Sequence, residues 1–229
     1  MVAATADGRD GTPARTPPVS LPLFPLHAVL VPGAQLQLRI FEPRYIDLVR
    51  QCAREDSGFG VCAILEGHDS GAAAAPSADG QASWQAGVRI LPVPAALGTE
   101  ARIVDFTTLP DGLLGITVQG GRRFHVERTR VRDNGLVVAD VTWLEDPAPH
   151  PLAIEYDLLA ALLRRLIEHM GGVHARADAA AYADASWISW RLAELLPIAL
   201  ADRQALLQQS DPDARLQHLL ELIPRLQPE

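Results

Sequence analysis

The stretch Gln35-Leu36-Gln37-Leu38-Arg39-Ile40-Phe41-Glu42-Pro43-Arg44-Tyr45 gives the clearest local signal in the chain. Its first six residues alternate polar and apolar side chains, which predicts a strand with one buried face. Pro43 then occupies the favoured first position of a helix. Apolar residues recur at helical spacing from there to about residue 54, at Tyr45, Leu48, Val49 and Cys52. We therefore predict a half-buried strand that leads into an amphipathic helix over residues 43–54.

The sequence around this segment changes character once, near residue 147. Residues 19–147 consist of short apolar runs separated by turn residues, and Asp133-Asn134-Gly135 is typical of a tight hairpin turn with positive φ. Beyond 147 the apolar period becomes helical: Pro151 is placed to open a long helix, followed by a helix at Trp187, another over 202–209 and one starting at Asp211-Pro212. Strands followed by helices favour an α+β fold, with a β-domain over 19–147 and a helical bundle over 148–229.

Two segments differ in composition from this framework. Residues 1–18 contain hardly any large apolar side chain, so we expect a disordered tail. Residues 66–82 are rich in Gly, Ala, Ser and Asp and predict a long mobile loop. An extra apolar piece, 84–93, follows that loop and predicts an added hairpin.

Composition excludes several classes of function. The 229 residues carry a net charge of −8, and all 20 basic residues are Arg. Without Lys, the chain has no ε-amine for a Schiff base, a Ser-Lys dyad or a P-loop. No window approaches the ~20 apolar residues of a membrane span, and the N-terminus lacks the apolar core of a secretory signal. We expect a cytoplasmic location and no membrane partner.

Side chains that could support catalysis or metal binding do not form a recognisable pattern. Cys52 and Cys62 lack C-x-x-C spacing and lie on apolar stretches, so we interpret both as buried hydrophobic residues. The seven His residues are scattered without metal-ligand spacing, and no Ser lies in a G-x-S-x-G elbow. We therefore predict no catalytic residue, no metal ligand and no cofactor.

The basic residues cluster in one place, on the strand that contains Arg122, Arg123, Arg128, Arg130 and Arg132. Alternation on a strand would place Arg128, Arg130 and Arg132 on one face, where they could contact phosphate or an acidic peptide. The more ordinary interpretation is the solvated side of a strand. Nucleic-acid affinity depends on neutralising phosphates, so the net negative charge of the chain argues against that partner. Arg123, Arg128, Arg130 and Arg132 remain candidate anion contacts.

Several motifs extend the opening segment in both directions. In chain order they are Leu21-Pro22-Leu23-Phe24-Pro25-Leu26, Val31-Pro32-Gly33, Phe59-Gly60-Val61, Gly98-Thr99, Leu109-Pro110-Asp111-Gly112, Gly120-x-x-Arg123-Phe124 and Trp190-Arg191-Leu192-Ala193-Glu194-Leu195-Leu196-Pro197. This ordered set, over about residues 21–222, resembles the N-terminal domain of the Lon ATP-dependent proteases. The resemblance implies a PUA-like β pseudo-barrel followed by a helical bundle, and a non-catalytic role in recognising substrate polypeptides. The length of residues 66–97 departs from that pattern, as an insertion that could reshape a binding surface.

The resemblance also marks ten signature residues, which we interpret as structural. We expect Pro25, Pro32 and Gly33 to set turns, Gly112 and Gly120 to supply positive φ, and Phe41, Tyr45 and Phe124 to join the core. Glu42 is expected to form an ion pair with Arg44 or Arg123. The signature predicts the fold better than it predicts a binding site.

Three hypotheses about function follow. The first is a polypeptide-recognition module without catalysis, which would bind unfolded or partly folded chains and work with a protease or chaperone. Its binding site would be an apolar groove between the β-domain and the helices, with arginines at the rim. The second is a PUA-like nucleic-acid-binding protein that uses the strand Arg122–Arg132. The third is a small-molecule enzyme or sensor, for which the sequence nominates no residues. In full Lon proteases the ATPase and protease domains follow this region; the present chain stops at Glu229, so we expect it not to be an enzyme.

Overall fold

The computed structural model describes residues 18–64, 94–146 and 148–226, together with the backbone of 84–85 and 88–89. Residues 1–17 of the tail predicted to be disordered over 1–18, and the loop predicted over 66–82, lie outside the described residues. The described strands are β1 (Val19–Leu26), β2 (Gln35–Ile40), β3 (Phe59–Ala63), β4 (Trp84–Gln85), β5 (Val88–Arg89), β6 (Leu97–Thr108), β7 (Leu114–Val131) and β8 (Val137–Trp143). The helices are α1 (Pro43–Glu55), α2 (Asp157–Met170), α3 (Ala185–Leu195), α4 (Leu200–Gln208) and α5 (Pro212–Leu222). Strands followed by helices confirm the α+β class.

The six longer strands form a mixed sheet in the order β2-β7-β6-β3-β1-β8, which closes on itself because β7 also pairs with β8. Strand β7 makes this closure possible through its 18-residue length. Its first half pairs with β2, its second half pairs with β8, and β6 pairs with residues 114–125. The sequence suggested two strands here, over 113–118 and 123–131, and the structure joins them. The result is the expected pseudo-barrel. Strands β4 and β5 form a separate antiparallel pair, as predicted for the added hairpin.

Helix α1 confirms the prediction from the opening segment. It begins at Pro43, buries Tyr45, Leu48, Val49 and Cys52, and ends after Glu55, with Asp56 in the left-handed region. Its buried stripe lies against the barrel, where the Phe24 and Tyr45 rings stack with centroids 3.9 Å apart. The strand, the short connection and the helix therefore form one continuous unit at the barrel wall.

The predicted start of the first long helix was wrong. Pro151 lies in an isolated β-bridge to Asp184, and a short 3₁₀ turn over Ile154–Tyr156 precedes the start of α2 at Asp157. The sequence also predicts an apolar stripe on this helix, formed by Leu158, Leu159, Leu162, Leu163, Leu166 and Ile167. The buried stripe is narrower: Leu159, Leu163 and Ile167 are buried, whereas Leu158 is 80% exposed. Residues four apart share a helix face, whereas adjacent residues point about 100° apart around the axis. In a run of adjacent apolar pairs, some of the side chains therefore point away from the buried face.

One large apolar core runs through both parts of the chain. The same cluster contains Phe59 and Val118 of the barrel and Leu163, Ile188 and Leu216 of the helices. A smaller cluster around Phe124 and Val141 fills the other end of the barrel. Both cysteines are free thiols buried in the core, as predicted, and burial raises the pKa of Cys62 to about 12. The β-domain and the bundle therefore share a core.

Several signature residues differ from their predicted roles. Phe41 is 53% exposed rather than buried, because alternation along β2 directs Ile40 inward and leaves its neighbour outside. Pro25 lies within β1 rather than in a turn. The pairing of β1 with β8 ends before Pro25, so the missing backbone N–H of the proline costs no hydrogen bond to β8. Gly112 has the expected positive φ of 82°, but Gly120 does not. A Cβ at Gly120 would lie 2.3 Å from the Val31 carbonyl oxygen, so close backbone approach is what requires glycine there.

Candidate functional site

The arginine strand does not act as one surface. Arg123 is fully buried between the barrel and the helices, and its Nη1 donates to the Leu207 and Gln209 carbonyl oxygens at 3.0 Å each. Its Nε donates to the Asp146 carboxylate at 3.0 Å. The prediction of Arg123 as an anion contact was therefore wrong: the structure turns this side chain inward, where it joins strand β7 to the end of α4.

The remaining arginines of the strand are exposed but partnered. Arg130 forms an ion pair with Asp140 at 2.7 Å and also donates to the Ser20 hydroxyl. Arg128 lies 4.0 Å from the same Asp140 carboxylate, and Arg132 donates to the Gln51 amide oxygen. A neighbouring carboxylate reduces the positive charge that this face offers to a phosphate, so the geometry resembles a solvated strand face with cross-strand pairs.

The opening segment contributes a structural ion pair. The Arg44 guanidinium lies 2.6 Å from the Glu42 carboxylate, lies over the Tyr45 ring and donates to the Gly135 carbonyl oxygen of the β7–β8 turn. The predicted Glu42–Arg44 pair is thus present, and it ties the start of α1 to a hairpin 91 residues away. The alternative partner, Arg123, bonds Asp146 instead.

A cavity of about 300 Å³ opens between the barrel and the helices. On the barrel side it is bordered by the turn at Pro32 and Gly33 and by Gln35 and Gln119, which are directly paired across β2 and β7. On the helical side it is bordered by Val173, His174, Trp187, Trp190 and Arg191. This is the location predicted for a binding groove, with one arginine in its wall.

The barrel side of the cavity is built by a tight turn. Pro32 and Gly33 occupy the two central positions, Gly33 has φ of 76°, and the Ala34 amide donates to the Val31 carbonyl oxygen. Proline followed by a positive-φ glycine is the preferred sequence of a type II turn. The Gly33 amide also donates to the Gly120 carbonyl oxygen at 2.8 Å, which holds the turn against β7. The predicted turn role of Pro32 and Gly33 is confirmed.

A buried charge network closes the helical side. Arg191 donates through Nη2 to the Pro32 carbonyl oxygen, and its Nη1 lies 2.8 Å from the Glu194 carboxylate. The His174 ring lies 3.0 Å from the same carboxylate. Burial lowers the pKa of Arg191, and the Glu194 charge opposes that shift. Because the Arg191 charge is paired with the Glu194 carboxylate, an uncharged ligand could enter the cavity without the free-energy cost of burying an additional unpaired charge.

The cavity also has an apolar wall. The Trp187 ring makes edge contacts with His174 and with Tyr182, and Tyr182 in turn lies under the Arg164 guanidinium. Aromatic rings held this way offer apolar area at little entropic cost, while the Gln35 and Gln119 amides can exchange hydrogen bonds with a peptide backbone. This combination suits an uncharged polypeptide segment. In the described part of the chain, no group of His, Cys, Asp and Glu has the geometry of a metal site.

Comparison with known proteins gives the family. The model of the substrate-binding domain of the ATP-dependent protease La (LON) matches residues 20–225. The chain belongs to this family. That family is the substrate-binding part of Lon rather than its catalytic part, and the resemblance seen in the motifs is confirmed.

Solved structures and a curated relative agree with this assignment. The Lon N-terminal domain protein from Xanthomonas campestris is 45% identical, with a TM-score of 0.68, and the match covers 89% of this chain and 98% of that one. The N-terminal domain of the Mycobacterium avium complex Lon protease shares the fold at 16% identity and a TM-score of 0.58, over 89% of this chain and 97% of that one. The Lon protease of Cytophaga hutchinsonii is 30% identical over 133 residues, 58% of this chain but 14% of that protein. The chain thus spans about a seventh of that curated relative.

The cavity lies between the barrel and the helices, where the sequence predicts a groove, but most of the side chains that border it were not candidates in the sequence. His174, Arg191 and Glu194 were not candidates, because nothing in their spacing distinguishes a buried network from surface charges. The one available signal was the Lon-like Trp190-Arg191-Leu192-Ala193-Glu194 motif, which places a charged pair three residues apart among apolar neighbours.

Proposed function

We propose that this chain is a polypeptide-recognition module that binds unfolded or partly folded chains without catalysing a reaction, and that it does so in the cytoplasm in association with a protease or chaperone. Membership of the Lon substrate-binding family carries the proposal. The cavity between barrel and helices supports it, since an aromatic wall, paired charges and a pair of amides suit an uncharged peptide segment.

Nucleic acid is the less favoured partner. The chain carries a net charge of −8, Arg123 is buried, and the exposed arginines of β7 lie beside Asp140 and Gln51. Binding to a phosphate backbone would have to overcome both the net repulsion and the local pairing. None of the described helices is long and apolar enough to cross a membrane.

The proposal is tested by fluorescence anisotropy of a labelled, permanently unfolded polypeptide at low and high salt, with a labelled RNA measured in parallel. We expect saturable polypeptide binding that changes little with salt, because apolar contacts are not screened. RNA binding that weakens steeply with salt, together with no polypeptide binding, would overturn the proposal and make the β7 arginines the functional site.

A matched pair of variants locates the binding surface. Val173→Glu places a charge in the cavity wall, and Val104→Glu places one on β6, at a residue outside the cavity lining with similar exposure (57% and 49%). We expect Val173→Glu alone to weaken polypeptide binding about tenfold, since burying a valine side chain is worth roughly 1.5 kcal/mol. Equal losses in both variants would show that the cavity is not the binding surface.

A further inference from the structure

Helix α2 presents an apolar edge to solvent that the fold itself leaves uncovered. Ile154, in the 3₁₀ turn that leads into the helix, is 86% exposed and Leu158 is 80% exposed, more than any other large apolar residue in the described part of the chain. The opposite side of α2 is already buried in the core through Leu159, Leu163 and Ile167. A single exposed apolar residue is ordinary, whereas Ile154 and Leu158 lie four residues apart at the start of α2 and are both almost fully exposed, which makes this end of the helix a candidate contact surface.

These residues form a straight seam along the helix. Leu158, Ala161 and Arg165 follow along α2 at intervals of three and four residues, the spacing that keeps side chains on one face of an α-helix. Ile154 precedes them in the 3₁₀ turn, and all four residues are exposed. Ala161, in the middle, allows another helix to approach closely. The seam is therefore apolar at its start, narrow at its centre and ends in a cation.

The seam is acidic at one end and basic at the other, an order that favours a second copy of the same helix as the partner. Glu155 follows Ile154 and Asp157 precedes Leu158 at the N-terminal end, and Arg165 lies at the other end. A second α2 laid antiparallel reverses this order, so that each Arg165 faces the other copy's Glu155 and Asp157 while each Leu158 packs against the other copy's Ala161. Arg164 is turned away from the seam, over the Tyr182 ring of its own chain. Glu168 and His169 lie beyond the overlap.

We propose that this chain self-associates through an isologous, antiparallel pairing of α2 with α2 of a second copy. In a twofold interface the same patch of both copies must fit itself. This seam does so, because Leu158 packs against Ala161 and Arg165 faces the acidic end of the other copy. One helix against one helix buries less than the ~1,000 Å² expected for a stable complex, so the dimer is weak and forms at high protein concentration. This inference does not depend on polypeptide binding, because the seam and the cavity share no residue.

Sedimentation velocity over a series of protein concentrations tests the proposal. The wild-type weight-average mass should rise from monomer towards dimer with concentration, and Leu158→Glu should abolish the rise because it puts two carboxylates at the centre of the contact. Met170→Glu is the matched control, since Met170 is 57% exposed on the same helix but off the seam, and it should behave as wild type. A wild type that stays monomeric at the highest concentration, or equal behaviour of the two variants, would overturn the proposal.

A charge exchange tests the antiparallel order. Arg165→Glu should weaken self-association by placing carboxylates opposite each other, and adding Glu155→Arg in the same chain should restore much of it. All of these positions are exposed, and circular dichroism confirms that each variant is folded. Failure of the double variant to recover any association, with the fold intact, would exclude this pairing even if the protein dimerises by another route.

Discussion

At the scale of single residues, close packing determines which side chain a position tolerates, and the residue type alone does not show the reason. Gly120 resembles an ordinary turn glycine in the sequence, yet its φ is not positive, and the Val31 carbonyl oxygen occupies the space that a Cβ would need. Its amide also donates to the Ala34 carbonyl oxygen. The turn that borders the cavity is therefore held against β7 at a residue that tolerates no side chain.

An added methyl group should affect stability differently at the two adjacent glycines, Gly120 and Gly121. Gly120→Ala should lower the free energy of unfolding by about 2–3 kcal/mol, because backbone cannot yield as a side chain can. Gly121→Ala is the control: its Cβ would lie 3.2 Å from a Glu100 carboxylate oxygen and at an ordinary van der Waals distance of 3.7 Å from the Glu100 Cβ and carbonyl oxygen, and the expected loss is below about 1 kcal/mol. Urea unfolding measures both. Equal losses would mean that the Val31 contact is not the cause.

At the scale of elements, the helices are fastened to the barrel by two buried cations around one indole. The Arg123 and Arg215 guanidinium groups lie 5.5 and 3.8 Å from the Trp190 ring centroid, and both donate to the Gln209 carbonyl oxygen. Burial and the nearby Arg123 charge lower the pKa of Arg215 to about 10. These groups connect β7, α3 and the start of α5, so they fix the position of the helical side of the cavity.

The connection predicts unequal effects for two arginines of one strand. Arg123→Ala removes a fully buried side chain and leaves the Leu207 carbonyl oxygen without this partner, and should cost about 3–5 kcal/mol of stability. Arg130→Ala removes an exposed pair with Asp140 and should cost at most about 1 kcal/mol. Denaturant titration followed by tryptophan fluorescence makes the comparison. A small loss for Arg123→Ala would show that the barrel and helices are held mainly by apolar contact.

At the scale of the whole molecule, the two parts predicted from the sequence share one core. Barrel residues such as Val118 and helical residues such as Leu163 belong to the same buried cluster, and Gln204 of α4 donates to the Leu97 carbonyl oxygen of β6. Two independent domains would each close their own core. In this arrangement the barrel and the helices stabilise each other through the core that they share.

A shared core predicts a single unfolding transition. Trp143 on β8 reports on the barrel and Trp190 on α3 reports on the helices, so each can be followed in a variant that retains it as the only tryptophan. Within each variant, the fluorescence midpoint should coincide with the midpoint of the change in far-ultraviolet circular dichroism, although the two variants differ in stability. Fluorescence and circular dichroism midpoints that differ within one variant would mean that the barrel and the bundle are separate folding units.

The sequence by itself determined the local elements and the family. The alternation over 35–40 and Pro43 specified a strand and a helix start, Asp211 and Pro212 specified another helix start, and the ordered motifs identified the Lon substrate-binding family, because these signals depend on neighbours in the chain. Only the tertiary structure decided that Arg123 is buried, that Phe41 is outside and that Gly33, Trp187 and Arg191 border one cavity. Burial depends on contacts between segments up to 159 residues apart, as between Pro32 and Arg191, and no local pattern records which segments meet.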